Sequence, residues 1–341
     1  MNILLLSVGR RNNLVRYFKN ALAGTGKVVA ADCSSLSPAL YEADRFAIIP
    51  AITDKAYPER VLALCESERI GGIVSLIDPE VSILAAHSER FAAVGAKVVA
   101  SSWSQCELAL NKSAMYRWLS GHGYPCVKHW TDIDAFRGAV ASGAARFPVV
   151  VKPIRGSASR AVSVVYSLEE TERVLSRREE WLIQEQIMGQ EIGADLYADL
   201  LTGRVVSVFT RKKLQMCDGE TSQAVSFSDP RLSALLERFV TEAGFRGVID
   251  IDLFASEGDY YILDVNPRFG GGYPLAHECG CDFPALILNN LNGIANKERC
   301  GAYKEGVCMM KYSDVVIRKE TELARPQEQA ASSVGSRKSK E

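Results

Sequence analysis

Asp264, Asn266 and Arg268 alternate within the stretch ILDVNPRFGGG, residues 262–272. On a strand, the carboxylate of Asp264 and the amide of Asn266 share one face. Asp252, in DIDLF, lies on a second apolar run joined to the first by the turn Glu257-Gly258-Asp259, so the two acids can face each other across a hairpin. Two carboxylates and an amide oxygen suit a hard cation such as Mg²⁺, which keeps positions open for water and phosphate oxygens. Arg268 just beyond them can clamp an anion with two parallel hydrogen bonds. An ion-paired surface hairpin is the alternative reading of these residues alone.

Three further stretches belong with this one. Lys152 ends the apolar run VVVKP and precedes a loop of small residues, Gly156, Ser157, Ala158 and Ser159, whose backbone N–H groups could meet phosphate oxygens. Lys112, in NKSAMYRWL, offers a second cation. In LIQEQIMGQEIG, a strand runs into Glu185, Gln186, Ile187 and Met188, and Glu191 follows a glycine. A hinge of this kind can give backbone groups to a base while a carboxylate takes ribose hydroxyls. In TRKKLQMCDGE, Arg211, Lys212 and Lys213 precede Glu220. Arg211 could grip a substrate carboxylate and Glu220 an amino group, or the cluster could be a cationic hairpin end in solvent. Tyr273 and His277, past the glycines, are further possible substrate contacts, as is the turn Gly9–Asn12.

The elements that must position these groups read as α/β. NILLLSV, KVVAAD, FAIIP, GGIVSLI and AKVVAS are short strands, separated by helical stretches at 13–22, 57–68 and 79–95. That repetition implies a parallel sheet covered by helices, a Rossmann-like front domain over residues 1–103. Its first turn has Gly9 alone where a dinucleotide fingerprint needs three glycines, although Asp32 ends the second strand. Helices fill a linker at 104–125. Strands and one helix over 126–185 form a lid subdomain. A hairpin turning at Thr202-Gly203, a helix near 230–244 and the strands carrying Asp252 and Asp264 form a C-terminal subdomain, 186–316. The polar stretch 317–341 reads as a disordered tail.

Composition narrows the function classes. Formal net charge is −1, too balanced for a nucleic-acid or anionic-membrane binder. No apolar run approaches the ~20 residues of a membrane span. Nine cysteines, an odd number without paired C-x-x-C spacing, favour reduced thiols in a cytoplasmic protein over disulfides or zinc. Cys279 and Cys281 near His277 are the one close-set group.

Taken in order, Lys112, Lys152 with its small-residue loop, Glu185, Glu191, Asp252 and Asp264-x-Asn266-x-Arg268 resemble the ATP-grasp superfamily over residues 100–315. With the front domain, the layout is similar to its carbamoyl-phosphate-synthase-like branch of carboxylate–amine ligases. The resemblance implies a Rossmann-like pre-ATP-grasp domain, then an ATP-grasp fold of two α+β subdomains. It implies ATP, with Mg²⁺ or Mn²⁺ held by Asp252, Asp264 and Asn266, and α- and β-phosphates bound by Lys112 and Lys152 under a lid of Gly156, Ser157 and Ser159. Glu185 to Met188 would be the adenine hinge, Glu191 the ribose acid, and Arg268 the stabiliser of the transferred phosphoryl group. The family commonly has Glu where this chain has Asp264. The activity implied is ADP-forming ligation of a small carboxylate to an amine, by a possible homodimer. A non-catalytic nucleotide-binding regulator and a nicotinamide oxidoreductase are the competing readings.

Overall fold

In the computed structural model, residues 1–156, 162–176, 180–217, 219–298 and 301–323 are described. Ser157, Ala158 and Ser159 of the expected lid lie outside them, as does most of the expected tail.

The front domain follows the sequence pattern closely. β1 (Asn2–Leu6), β2 (Val28–Asp32), β3 (Arg45–Ile48), β4 (Ile70–Ser75) and β5 (Lys97–Val98) form a parallel sheet in the order β3-β2-β1-β4-β5. Helices α1 (Asn12–Leu22), α2 (Tyr57–Ser67), α3 (Asp78–Ala86) and α4 (Ser88–Ala93) connect and cover it. The single helix expected over 79–95 is broken at His87 into α3 and α4. Both faces of the sheet are buried: Ile3 and Leu5 on one, Leu4 and Leu6 on the other. Such continuous apolar runs are what a parallel sheet between helices requires.

α5 (Trp103–Leu110) and α6 (Lys112–Gly121) lead out of this domain, and Asn111 caps α6 by accepting from Ala114 N. Next come β6 (His129–Trp130), α7 (Ile133–Ala141), β7 (Val149–Pro153), β8 (Ser163–Val165), α8 (Leu168–Leu175) and β9 (Trp181–Glu185), whose strands form an antiparallel sheet ordered β6-β9-β7-β8. Phe136, Val149, Val151, Trp181 and Ile183 pack on its helix-covered face. Val150, Lys152, Leu182 and Gln184, one residue out of phase, occupy the other.

The largest sheet contains β10 (Gln190–Ala198), β11 (Val205–Cys217) and β12 (Glu220–Phe227), then α9 (Pro230–Ala243), β13 (Gly247–Ser256) and β14 (Asp259–Asn266). α10 (Tyr273–Glu278), α11 (Phe283–Leu291) and β15 (Cys308–Met310) follow. The strand order is β14-β13-β10-β11-β12-β15, and every pairing is antiparallel. Ile249, Ile251 and Leu253 bury one face of β13 under Leu232, Leu236 and Phe239 of α9. Alternation therefore sends Asp250 and Asp252 to the opposite face. That face changes character along its strands. Tyr197 and Phe209 join a core shared with Val15 and Phe18 of the front domain, and the acids lie beyond them. α11 completes the junction, with Leu291 packed so closely on Gly72 of β4 that a Cβ there would overlap it.

Candidate active site

Register decides what the acids do. Asp252 stands directly opposite Asp264 on β14, and Asp250 opposite Asn266. On the other side of β13, Asp195 faces Asp250 and Gly193 faces Asp252, while Arg211 of β11 lies opposite Gly193. One sheet face thus carries a block of charge four strands wide.

Lysines neutralise its upper layer. Asp264 Oδ1 is 3.3 Å from Lys112 Nζ and 3.7 Å from Lys152 Nζ. Burial pushes this carboxyl up, but Lys152 and Lys112 outweigh it and hold it below the usual range. Asp252 pairs with Lys213 at 2.7 Å, and Lys213 also holds Glu191 at 2.8 Å. Burial raises the Asp252 carboxyl despite that lysine, with Asp250 adding to the rise. Burial alone would lower the Lys213 ammonium, yet Asp252 and Glu191 raise it.

Lys152 comes from β7 of the four-stranded sheet. It is buried, and its ammonium donates a hydrogen bond to the Tyr116 hydroxyl at 3.0 Å. Tyr116 sits one helical turn beyond Lys112 on α6 and donates to Gln184 Oε1 and the Leu263 carbonyl. Burial lowers the Lys152 ammonium and Asp264 opposes that. Lys112 also donates to the Gly156 carbonyl at 2.8 Å, so the two lysines link β7 and the Gly156 backbone to Asp264 of β14.

The lower layer is an ion cluster with almost no exposure. Arg211, 1% exposed, pairs with Asp195 and with Asp250 at 3.2 Å. The expectation that Arg211 grips a substrate is corrected on this point: its guanidinium is sealed beneath the site, between Gly193 and Gly272. A Cβ on Gly193 would sit 2.8 Å from it, and one on Gly272 would overlap it. Arg268 reaches Asp250 at 3.2 Å and Asp78 of α3 at 3.0 Å. Gly270 lies so close to the Asp250 carboxylate that a Cβ would overlap it, and Gly271 would bring one to 3.2 Å from Glu220. The glycines of FGGG therefore let backbone close over charged side chains.

The segment Glu185 to Met188, expected as a hinge, runs from the end of β9 in the four-stranded sheet toward β10 in the large sheet. Glu185 accepts from Lys128 N at 2.7 Å, Met188 is exposed, and the Met188 carbonyl accepts from Ser256 Oγ. Gln186 Oε1 is buried without a hydrogen-bond partner among the described residues, and Ile187 packs at the edge of the core. Glu220 takes Arg11 at 3.3 Å and Lys311 at 3.0 Å. Tyr273 is buried, its hydroxyl donating to the Cys281 carbonyl and accepting from Phe283 N, and His277 stacks on Tyr17.

Asp250, Tyr116 and Asp78 were not singled out from sequence, and Lys213 was read only as part of a cationic cluster. Lys213 and Asp250 had a signal, since Lys213 alternates with Arg211 and Asp250 with Asp252. Asp32 accepts from Gly9 N and Ser34 N, which makes it a brace for the first turn. Among the described residues no three His, Cys, Asp or Glu side chains converge as a metal cluster, Cys279 and Cys281 included. Two Asp carboxylates and Asn266, whose Nδ2 donates to Asp250 and leaves the amide oxygen as the acceptor, fit Mg²⁺ that takes its remaining ligands from phosphates and water.

Comparison with known proteins agrees with this layout. Residues 3–99 match the family described as PylC-like, N-terminal domain, and residues 109–272 match the ATP-grasp domain. The chain carries an ATP-grasp domain. Its ATP-grasp fold superposes on the biotin carboxylase domain of 2-oxoglutarate carboxylase from Hydrogenobacter thermophilus, solved with MgADP and bicarbonate, with a TM-score of 0.72, 16% identity and coverage of 90% of this chain and 73% of that one. An L-amino acid ligase from Bacillus licheniformis gives 0.63 at 17% identity, covering 87% and 75%. A formate-dependent phosphoribosylglycinamide formyltransferase from Hahella chejuensis is 27% identical over 290 residues, 79% of this chain and 66% of that protein. The chain spans no more than 66% of the length of these curated relatives. No helix among the described residues is long and apolar enough to cross a membrane.

Proposed function

We propose that this ATP-grasp protein is an ATP-dependent ligase that joins a small carboxylate to an amine through an acyl phosphate. The observation that carries the reading is the facing pair Asp252 and Asp264, with Lys152 and Lys112 brought to Asp264 from across the cleft. Lysines that neutralise the acids without ligand are placed to move onto phosphate oxygens when a cation takes the carboxylates.

A carboxylate is a poor electrophile. One of its oxygens attacks the γ-phosphorus of ATP and ADP leaves. The amine then attacks the acyl carbon, inorganic phosphate leaves, and the amine's proton passes to solvent. Catalysis here is positioning and charge neutralisation. Lys112 and Lys152 bind the α- and β-phosphates, the backbone of Glu185 to Met188 meets adenine, and Glu191 holds ribose. Asp252, Asp264 and Asn266 would hold Mg²⁺, which would offset the charge of the phosphates. Arg268 faces the transferred phosphoryl group. Arg211 acts from beneath by fixing Asp250. The loop at Gly156, Ser157 and Ser159 excludes water from the acyl phosphate.

Phosphate release from Mg-ATP across carboxylates paired with amino acids tests the reading, with an Asp264→Ala/Asn266→Ala double variant as the blank. Release that requires one carboxylate and vanishes in the variant is expected. ATP binding without release for any pair would favour a nucleotide-binding regulator, a reading that the short Asp264 side chain supports. No ATP binding would refute both.

A further inference from the structure

The proposed chemistry assigns the front domain no part in phosphoryl transfer, yet one of its carboxylates holds the arginine that meets the phosphoryl group. Asp78, the first residue of α3, is 5% exposed. Its Oδ2 accepts from Arg268 Nε at 3.1 Å and lies 3.0 Å from Nη2. The third nitrogen, Nη1, donates to Asp250 at 3.2 Å and to the Phe269 carbonyl at 3.0 Å. Each nitrogen of the guanidinium therefore has a fixed acceptor, and two of the three are held from the other domain.

The Oδ1 of Asp78 is buried without a hydrogen-bond partner among the described residues. A buried carboxylate half-satisfied in this way calls for an explanation. Asp78 is the leading counter-charge of Arg268, since Asp250 is shared with Arg211. It also sets orientation. Asp250 and Phe269 both hold Nη1, which leaves the guanidinium free to swing about that contact until Asp78 fixes its other edge. A donor fixed before the reaction needs no reorganisation as charge develops. Arg11, also from the front domain, donates to the Gly270 carbonyl at 3.1 Å and steadies the same loop.

We propose that Asp78 is a positioning residue that holds Arg268 in its working orientation, so that the front domain controls turnover more than nucleotide binding. What Arg268 does there rests on the ligase reading; the contact between the two residues does not.

Asp78→Ala and Asp78→Glu are the test variants. Asp78→Ala is expected to lower kcat for carboxylate-dependent phosphate release about tenfold or more, with the KM for Mg-ATP within about twofold. Asp78→Glu should restore part of the rate. Unchanged kcat, or a KM that rises in proportion as kcat falls, would overturn the proposal. A second readout needs no turnover: phenylglyoxal labelling of Arg268, followed by peptide mass spectrometry on nucleotide-free protein. Arg268 should label severalfold faster in Asp78→Ala than in wild type, and equal rates would overturn the proposal. If wild type turns over no carboxylate, the ligase reading fails and labelling still decides. Should Asp78→Ala not fold, Asp78→Asn carries both readouts.

Discussion

Lys213 Nζ lies 2.7 Å from Asp252 Oδ1 and 2.8 Å from Glu191 Oε1, so one buried ammonium serves both the proposed metal ligand and the proposed ribose acid. Asp264 is held the same way by Lys112 and Lys152. In this ligand-free arrangement, lysines neutralise the carboxylates that the proposal assigns to cation and ribose. This arrangement spares the sheet an uncompensated charge, whose burial would otherwise cost several kcal/mol per ion.

Competition between Lys213 and a divalent cation follows from that contact. With Lys213→Met, Asp252 loses its counterion, and Mn²⁺ should bind the nucleotide-free protein about tenfold more tightly than it binds wild type. Electron paramagnetic resonance of free Mn²⁺ measures this directly. Equal or weaker binding by the variant would show that the lysine does not compete. ATP should bind the variant more weakly, because Glu191 also loses its partner.

Tyr116→Phe tests the link between the lid and the site. The hydroxyl accepts from Lys152 and donates to Gln184 and the Leu263 carbonyl. Its removal leaves buried groups short of partners, which costs about 1–3 kcal/mol. Urea unfolding should show that loss, and the KM for Mg-ATP should rise because Lys152 is held less firmly. A variant as stable as wild type would mean that water replaces the hydroxyl.

The front sheet was legible because each strand is a short apolar run between amphipathic helices, and all five strands lie where the pattern puts them. The pairing of Asp252 with Asp264 was legible from the tight turn at Glu257-Gly258. β11 was harder. Arg211, Lys212 and Lys213 read as one cationic cluster, but they continue a 13-residue strand, so alternation buries Arg211 and Lys213 and exposes Lys212. Periodicity in charged residues is weak evidence when partners are unknown, since a buried arginine is stable only beside acids such as Asp195 and Asp250. Asp78 carried no local signal at all. Its partner lies 190 residues away, and only the docking of two domains joins them.

Gly270→Ala and Gly272→Ala separate close packing from backbone freedom. Neither glycine has a positive φ, so the constraint is space. A Cβ at Gly270 would overlap the Asp250 carboxylate and one at Gly272 the Arg211 guanidinium. Neither neighbour can retreat, because each is held in the buried cluster. Either change should lower the unfolding free energy by about 2 kcal/mol or more, as overpacking does. Gly121→Ala, with open space at its Cβ, is the control and should leave stability within about 0.5 kcal/mol. A stable, active Gly272→Ala would mean that the ion cluster can shift.

Acid stability should depend on Asp199, far from the site. Its buried carboxylate accepts from Leu201 N, Thr202 N and Oγ1, Asn290 Nδ2, and Asn296 N and Nδ2, tying the β10–β11 turn to the end of α11. Burial alone would raise its pKa, but these donors, Asn290 foremost, outweigh it and bring it down to about 2. A folded pKa below the unfolded value of about 3.9 contributes stability that is fully present above about pH 4 and fades as pH falls toward 2. The contribution is about 2 kcal/mol. Urea unfolding of wild type and Asp199→Asn from pH 6 to pH 2.5 should show a gap that is constant above about pH 4.5 and narrows below about pH 4. A gap that holds its size to the lowest pH would mean that the hydrogen bonds to Asp199 do not depend on its charge.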